Sequence, residues 1–405
     1  MAERAQAKLG KRFAEIDAVA EANTRRVMEA FQDNKVSDSC FAGTTGYGYD
    51  DLGREVLDKI YAQIFGTEAA LVRINFVNGT HALTAAMFSL VKPGDTIVAV
   101  TGTPYDTLRE AIGISGDGFG SLKFYGINYA QVDLTESGEP DYEGISEAVK
   151  GKNVTAVMVQ RSRGYGERKA LSIEEIARIC SVVKAVDSKI NVMVDNCYGE
   201  FTDTLEPTHV GADIIAGSLI KNPGGGIAPT GAYIAGKKEL VDRAAMRLTT
   251  PGIGGECGST LGNNRLLFQG LFMAPHTVAQ ALKTACFCAA MMDELGIQSS
   301  PAHDEKRSDI IQMIRLGSEE DMRKFCLGIQ AGAPVDSYVT PEPWAMPGYD
   351  CPVIMAAGSF VQGSSIELSA DGPIREPYIV YMQGGLTYES GKLGIMMAVS
   401  AMLDR

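Results

Sequence analysis

Positive charge is scarce in this 405-residue chain, in which 37 lysines and arginines face 50 aspartates and glutamates for a formal net charge of −13. Nucleic acids and anionic membrane surfaces are bound by basic faces, so the composition argues against both kinds of partner. The sequence also lacks an apolar run long enough to cross a bilayer. Its N-terminal stretch, MAERAQAKLGKRFAEIDAVAEANTRRVMEAF, is charged throughout and lacks the apolar segment of a signal peptide. We therefore expect a cytoplasmic protein.

The sequence also lacks the residue spacing of a metal site. Only four histidines are present, they are dispersed, and none of the eight cysteines forms a CxxC pair. Structural zinc sites draw their ligands from closely spaced pairs of this kind, so we expect no bound metal. Several cysteines lie inside apolar runs such as TACFCAAMM, which is typical of buried, reduced thiols rather than of disulfides.

Short apolar strands alternate with helical patterns from about residue 68 to the segment GAYIAG. Strands such as AALVRINF, VTAVMVQ and ADIIAGSLI are separated by helices such as THALTAAMFSLV and SIEEIARICSVVKAV. The second of these helices opens with Ser172 and Glu175 in the spacing of a capping box. This alternation predicts an α/β fold with a doubly wound, mostly parallel sheet.

The pattern changes towards the C-terminus. After the long helix APHTVAQALKTACFCAAMMDELG, the strands CPVIMAAGSF, SSIELSA and YIVYMQGG and the final helix GKLGIMMAVSAML predict a smaller α+β domain. A chain of this length is too long for one simple core. We expect an N-terminal helix and arm over residues 1–45, a large α/β domain over 46–270, and a bridging helix with the small domain over 271–405.

One lysine stands in an unusual setting, because Lys221 ends an apolar strand and precedes a proline and three glycines in GSLIKNPGGG. In open parallel sheets the ligand crevice lies at the carboxyl ends of the strands. A lysine there, beside glycines that leave room for close approach, indicates a desolvated amine with a lowered pKa, the kind that forms Schiff bases. The alternative is a lysine at a strand edge whose charged end reaches water.

Two further features fall at strand ends. In NGTHA, Gly79 permits a tight turn between a strand and a helix, and the helix N-terminus beside Asn78 and Thr80 can bind an anion. Taken alone, one glycine before a helix indicates only a turn. Asp195 ends the strand NVMVD, where it either caps the following turn or holds a proton on a heteroaromatic nitrogen.

Together these features favour one cofactor. Pyridoxal 5'-phosphate needs an anion cradle, an acid for its pyridine nitrogen and a lysine for its aldehyde, and the chain supplies them in that order. Tyr105, in GTPYDT, is placed to stack on the cofactor ring, and Ser218 can add a phosphate contact. Neither a Walker loop nor GxGxxG is present, which disfavours nucleotide and dinucleotide cofactors.

The motifs NGTHALTAAMFSL, GTPYDTL, VDNCYGEF, GSLIKNPGGG and REPYIVYMQGGLTYESGKLGI resemble the methionine gamma-lyase-related family, also called the aluminium-resistance family. That family is a branch of the fold type I pyridoxal-phosphate enzymes and is related to the cystathionine lyases. The resemblance covers the whole chain. It implies a carbon–sulfur lyase that acts on a sulfur amino acid such as cystathionine, methionine or cysteine, by β- or γ-elimination.

The resemblance also implies which residues hold the cofactor. Lys221 would form the Schiff base, Asp195 would pair with the pyridine nitrogen, and Tyr105 would stack on the ring. The residues that would hold the phosphate are Asn78, Gly79, Thr80 and Ser218.

By the same resemblance, the arm TTGYGYDDLGRE would carry Tyr47 or Tyr49 to the phosphate of a neighbouring subunit. This implies a homodimer or homotetramer with shared active sites. Arg375, in GPIREPY, would clamp the carboxylate of the amino-acid substrate. The alternative for Arg375 is a salt bridge to Glu376 or Asp371.

The chain departs from the well-studied gamma-lyases in three places. Ile220 replaces a hydroxyl residue before the lysine, the arm lacks their tyrosine–x–arginine, and the loop RSRGYGER stands where they have an asparagine facing the cofactor's phenolic oxygen. Arg161, Ser162 and Arg163 are candidates to replace that asparagine, and we place Arg161 among the substrate-binding residues. Two alternatives to a lyase are another fold type I activity, such as an aldolase or aminotransferase, and a pyridoxal-phosphate-binding protein without turnover.

Overall fold

A computed structural model describes residues 1–346 and 351–404 of the chain. Two β-sheets form its framework. The strands are β1 (Ala69–Arg73), β2 (Thr96–Ala99), β3 (Asn128–Gln131), β4 (Val154–Gln160), β5 (Asn191–Asp195), β6 (Ile214–Ser218), β7 (Ala232–Gly236), β8 (Ser299–Ser300), β9 (Ile311–Arg315), β10 (Val353–Ala357), β11 (Ser369–Pro373) and β12 (Ile379–Gln383). The α-helices are α1 (Ala2–Ala7), α2 (Gly10–Asp33), α3 (Leu52–Ile64), α4 (Gly79–Leu90), α5 (Asp106–Ile112), α6 (Tyr142–Ala148), α7 (Ile173–Val186), α8 (Lys238–Leu248), α9 (Asn264–Leu295), α10 (Glu319–Ala331) and α11 (Tyr388–Leu403).

The first sheet has seven strands in the order β1-β7-β6-β5-β4-β2-β3. Its pairs are parallel except at β7, which runs antiparallel to both β1 and β6. The predicted mostly parallel sheet is therefore confirmed. Its parallel strands bring their carboxyl ends to one edge, which is where the chain turns into helices such as α4 and α5.

Helices cover both faces of this sheet because alternate strand residues point to opposite sides. In β5, Val192 and Val194 are buried in one hydrophobic core and Met193 in a second core. The first core also contains residues of α3, α7 and α9, whereas the second contains residues of α4, α5 and α8. This layering is the doubly wound α/β arrangement expected from the sequence. At the start of α7, Ser172 and Glu175 form the predicted capping box.

The second sheet has five antiparallel strands in the order β10-β11-β12-β9-β8, and α10 and α11 pack against each other beside it. The predicted strand SSIELSA is wrong in its bounds, since β11 begins only at Ser369. The Glu367 carboxylate accepts hydrogen bonds from the backbone N–H groups of Phe360 and Val361, at 2.9 Å each. Those bonds hold the segment before β11 in a loop.

The N-terminal segment forms two helices rather than the single predicted one. The second, α2, packs on α9, and the Asn23 amide donates to the backbone carbonyls of Phe201 and Asp203 at 3.1 and 3.0 Å. Helix α9 begins at Asn264 rather than at Ala274 and runs through Pro275. None of the helices in the described ranges is long and apolar enough to span a membrane. The domain boundaries expected from the sequence stay a prediction.

Candidate active site

The carboxyl ends of β1, β5 and β6 surround a cavity of about 210 Å³, which we call the inner cavity. Helix α4 begins at Gly79 after β1, β5 ends at Asp195, and β6 ends at Ser218, three residues before Lys221. The inner cavity is lined by Asn78, Gly79, Thr80, Leu83, Tyr105, Thr107, Gln160, Ser162, Gly164, Tyr165, Asp195, Cys197, Tyr198, Ser218, Ile220, Lys221, Ile311, Asp371, Tyr381 and Gln383. The structure thus brings together the lysine, the acid, the helix N-terminus and the tyrosine that the sequence singled out.

The amine of Lys221 lies over an aromatic ring, with Nζ 4.0 Å from the centre of the Tyr198 ring. Burial lowers the pKa of this amine, but Cys197, Tyr198 and Asp195 raise it by more, so the pKa of Lys221 lies above its ordinary value. The lowered pKa expected from the sequence is therefore wrong for the chain alone. The reason is that acidic groups close to the amine outweigh its desolvation.

The glycines after Lys221 serve packing rather than the cavity, which corrects the expectation that they leave room beside the amine. A Cβ atom on Gly225 would collide with the backbone of Gly270 in α9, and one on Gly226 would collide with Leu386. Both glycines also have positive φ, at +57° and +76°. They allow the turn after Lys221 to press against α9, which fixes the backbone that carries the amine.

The carboxyl group of Asp195 is buried at the end of β5. Burial raises its pKa, and the positive charge of Lys221 together with the backbone N–H of Cys197 only partly offsets this. The N–H of Cys197 donates to Oδ1 of Asp195 at 3.1 Å. The carboxyl group of Asp195 therefore caps the following turn, which was one of the two alternatives from the sequence. It also lines the cavity that contains Lys221.

The start of α4 provides the expected anion-binding geometry. Oδ1 of Asn78 accepts from the N–H of His81 at 2.9 Å, so the Asn78 side chain caps the helix. The N–H groups of Gly79 and Thr80 belong to the first helical turn, where no intrahelical acceptor exists. A Cβ atom on Gly79 would lie only 3.2 Å from Cβ of Ser218. The absence of a side chain at Gly79 thus keeps the space in front of these amides open.

These groups match the chemistry of pyridoxal phosphate. Unbonded amides at a helix N-terminus suit its phosphate, the buried Asp195 carboxyl suits a cationic ring nitrogen, and the Lys221 amine suits its aldehyde. Tyr105 lines the same cavity, and its backbone N–H donates to Oε1 of Gln160 at 2.8 Å. The residues present therefore fit the cofactor.

Comparison with known proteins decides the family. A family model for methionine gamma-lyase matches residues 1–403. The chain belongs to the methionine gamma-lyase family. This membership confirms the predicted pyridoxal-phosphate cofactor and the predicted class of enzyme, a lyase.

Solved structures agree with this assignment. A carbon–sulfur lyase involved in aluminium resistance from Clostridium novyi is 53% identical, with a TM-score of 0.95 over 98% of this chain and 94% of that one. A candidate cystathionine beta-lyase involved in aluminium resistance from Clostridium acetobutylicum is 51% identical, with a TM-score of 0.96 over 100% and 95%. A pyridoxal-phosphate-dependent protein of Escherichia coli shares the fold alone, at 16% identity and a TM-score of 0.63 over 96% and 97%.

Within this family member, Arg161 does not reach the cavity, and its expected role in substrate binding is wrong. Its side chain is fully buried, with Nη1 2.8 Å from Oδ1 of Asn196 and 3.5 Å from Oε2 of Glu206. Successive residues at the end of β4 point to opposite sides. Gln160 and Ser162 therefore line the inner cavity, whereas Arg161 between them enters the core.

Arg375 lies at an adjoining outer cavity of about 440 Å³ rather than in the inner one. The two cavities share the lining residues Tyr105, Gln160, Gly164 and Tyr165, so they lie next to each other. In the described part of the chain, no salt bridge joins Arg375 to Glu376 or Asp371. The guanidinium is exposed at the rim of the site, and its role towards a substrate stays a prediction.

The predicted arm lies on the surface, away from the inner cavity of its own chain. Tyr47 and Tyr49 are 72% and 57% exposed, and their rings stack with centres 5.6 Å apart. The arm is nevertheless anchored: Arg54 donates to the carbonyl of Gly258 at 2.9 Å, and the N–H of Gly258 donates to the carbonyl of Tyr47 at 2.9 Å. It is a fixed, exposed surface feature.

Sequence reasoning missed the contribution of the second sheet to the inner cavity. Ile311, Asp371, Tyr381 and Gln383 line it from strands β9, β11 and β12. Asp371 was considered only as a partner of Arg375. The sequence does show an acid between small residues in the strand segment SADGP. A half-exposed aspartate at the edge of a sheet would give the same pattern, so the pattern does not identify a cavity residue. Burial raises the pKa of Asp371 to about 7.

We predict that Gly79→Val weakens cofactor binding, because a branched side chain would enter the space between the α4 amides and Ser218. We expect about a tenfold or larger rise in the dissociation constant of pyridoxal phosphate, measured by absorbance titration of the apoprotein. Gly10→Val is the matched control, since Gly10 also begins a helix but a Cβ there meets nothing within 4 Å. Equal affinity of both variants for pyridoxal phosphate would contradict the assignment of the α4 N-terminus as the phosphate site.

Proposed function

We propose that this protein cleaves the carbon–sulfur bond of a sulfur amino acid, such as cystathionine, methionine or cysteine, with Lys221 as the catalytic base. The observation that carries the proposal is the convergence of Lys221, Asp195 and the α4 N-terminus on one cavity. When bound, pyridoxal phosphate supplies an electron sink for the carbanion that forms at Cα. The residues of the chain supply binding, orientation and proton transfer.

Lys221 has two proposed roles. Its amine is the attachment point for the cofactor's aldehyde, and once the substrate amine displaces it, the freed amine removes the proton at Cα. The second role requires an amine held close to the substrate without access to bulk water. The packing of the glycines that follow Lys221 against α9 and Leu386 supports this, because it fixes the backbone of the lysine.

Asp195 is proposed to hold a proton on the pyridine nitrogen of the cofactor. A buried carboxylate is costly unless a cation pairs with it. Lys221 is the main cation that acts on Asp195 in the chain alone, with a smaller effect from Arg168, and the Lys221 amine would be committed to the aldehyde once the cofactor is bound. A protonated ring nitrogen would then replace it as the partner of Asp195.

The substrate side of the site is proposed to extend into the outer cavity. Arg375 offers an exposed guanidinium there, and a guanidinium can bind a carboxylate in a bidentate manner. Tyr105 and Tyr165 line both cavities, so their rings form the passage between a substrate carboxylate at Arg375 and the reacting carbon near Lys221.

We further propose that the protein is a homodimer or homotetramer in which Tyr47 or Tyr49 of one subunit contacts the cofactor phosphate of another. Two stacked tyrosines on an anchored, exposed arm support this, since a phenol hydroxyl can donate to a phosphate. A cytoplasmic location is proposed from the eight free cysteines, six of which are buried.

The proposed function is tested by product analysis. The holoenzyme incubated with cystathionine, methionine or cysteine should release ammonia, a keto acid and a thiol (hydrogen sulfide in the case of cysteine) in equal amounts from at least one of them. Borohydride should fix the cofactor on Lys221, as read by peptide mass. An aldehyde from retro-aldol cleavage, a keto acid without ammonia or thiol, or label on another lysine would contradict the proposal.

We predict that Asp195→Ala still binds pyridoxal phosphate but loses kcat by about 10²-fold or more, because a stabilising charge aimed at the developing transition state is removed. Asp213→Asn is the matched control. Asp213 is also a buried aspartate next to β6, but it pairs with Lys184 and Lys237 away from the cavity. That variant should lower stability and keep kcat. If Asp195→Ala keeps most of its kcat, Asp195 is only a turn residue.

Shared sites are tested by complementation. We predict that an inactive Lys221→Ala protein, mixed with an inactive protein altered at both Tyr47 and Tyr49, regains activity as hybrid dimers form. One of the two sites in each hybrid then combines an intact lysine with an intact arm. The readout is thiol release after subunit exchange, with native mass spectrometry to count hybrids. Hybrids that form without any activity would refute the shared site.

A further inference from the structure

The inner cavity has two walls with different chemistry. The first sheet supplies the wall with Lys221, Asp195 and the α4 N-terminus, which the proposed cofactor occupies. The second sheet supplies Ile311, Asp371, Tyr381 and Gln383. Of these four residues only Asp371 carries a carboxyl group, and the proposed mechanism leaves it without a role.

Asp371 is nine-tenths buried without an ion-pair partner in the described part of the chain. Its Oδ2 lies 3.4 Å from Nε2 of Gln383, and the carboxyl also accepts a hydrogen bond from Tyr165. Its Oδ1 is buried and has no hydrogen-bond partner. An unpaired charge in such a place is costly, whereas a neutral carboxyl group is tolerated.

The groups around Asp371 do not neutralise a negative charge. Burial is the main cause that raises its pKa to about 7, and Tyr165, Gln383 and Lys221 only partly oppose it. The thiol of Cys326 and the phenol of Tyr381 lie close enough for Asp371 to affect their pKa, and burial raises the pKa of both, so neither carries charge near neutral pH. With a pKa of about 7, the Asp371 carboxyl group holds a proton below neutral pH and in a substantial fraction of the molecules at neutral pH.

We propose that the Asp371 carboxyl group is the acid that delivers a proton to the sulfur atom as it leaves the substrate. This role rests on the proposed carbon–sulfur lyase function. As the carbon–sulfur bond breaks, its electron pair stays on sulfur. The O–H bond of Asp371 breaks, a new S–H bond forms, and the thiol departs. The Asp371 carboxylate then recovers its proton from water.

Three other proton donors that line the inner cavity, Tyr381, Ser162 and Cys197, are less suitable. The hydroxyl of Tyr381 donates to the carbonyl of Tyr165 at 2.8 Å, and that of Ser162 donates to Asp309 at 3.0 Å. Burial raises the pKa of the Cys197 thiol well above its ordinary value, which makes it a poor acid. By contrast, an acid with a pKa near the working pH is the most effective.

The arrangement around Asp371 also suits the product of the transfer. The amide of Gln383 and the hydroxyl of Tyr165 donate to the carboxyl group, and both stabilise the carboxylate that is left. Even the thiol of a cysteine side chain has a pKa of about 8.5, which is above that of Asp371, so a proton passes favourably from Asp371 to a departing thiolate.

The test compares leaving groups that need a proton with one that does not. For Asp371→Asn we expect kcat/KM for S-methyl-L-cysteine to fall about 100-fold. For β-chloro-L-alanine, whose chloride leaves without a proton, we expect a change within about threefold. Exchange of the Cα proton of L-alanine with deuterated water should be unchanged, because it releases no leaving group and so does not use Asp371. Equal losses on both leaving groups would overturn the proposal.

Glu367→Gln is the matched control, because Glu367 is a buried carboxyl just before β11 that binds backbone N–H groups and does not line the inner cavity. It should affect both substrates alike. Wild-type protein that neither turns over the two substrates nor exchanges alanine would remove the proposed function and this role with it. If the wild type exchanges alanine and eliminates chloride, but Asp371→Asn loses activity equally on both substrates, only this role of Asp371 would be removed.

Two further measurements do not depend on the activity of the variant, and the first of them uses only the wild type. In the wild type, kcat/KM for S-methyl-L-cysteine should fall as pH rises through about 7, because the acid is lost, while β-chloro-L-alanine should lack this fall. In the apoprotein, the infrared carbonyl band of a protonated carboxyl should disappear over the same range. Glu200 has a pKa raised to about 8 and adds a band of its own, so an Asp371→Asn difference spectrum identifies the Asp371 component. A carbonyl band absent at pH 6 would refute the proposal.

Discussion

The amine of Lys221 and the carboxyl of Asp195 are both removed from water at the ends of adjacent strands, and each shifts the pKa of the other. Two opposite charges in such a place stabilise the site only while both are present. The elements around the pair can be understood from this constraint. The glycine turn holds the lysine backbone on α9, and the antiparallel β7 covers the far side of β6.

The first wall of the site could be predicted from the sequence because a parallel sheet converts chain order into position. Each strand ends at the same edge, so Asp195 and Lys221, which follow two neighbouring strands, had to meet there. The same logic failed for Arg161 for a physical reason. Residues alternate in direction along a strand, so when Gln160 and Ser162 face the cavity, Arg161 cannot. Its guanidinium satisfies Glu206 inside the core instead.

The second wall could not be predicted in this way. Antiparallel strands have no common carboxyl end, and which of their residues meet the first sheet depends on how the two sheets pack. The strand containing Asp371 was also expected too early, because the role of Glu367 in holding a loop leaves no trace in hydrophobic pattern. Likewise, the direction of the Lys221 pKa shift depends on Cys197, Tyr198 and Asp195 acting together, which spacing alone does not reveal.

The two walls also divide the chemistry. The groups that match the cofactor, from Gly79 to Lys221, belong to the first sheet, whose geometry is fixed by buried parallel strands. The places where the chain departs from the well-studied gamma-lyases lie elsewhere around the inner cavity: Ile220 lines it directly, and the loop RSRGYGER contributes Ser162, Gly164 and Tyr165. Tyr165 in turn donates to Asp371. Changes in that loop therefore act on the position and the proton affinity of Asp371 through Tyr165, and they also reach Tyr105, which lies against Gly164 and Tyr165.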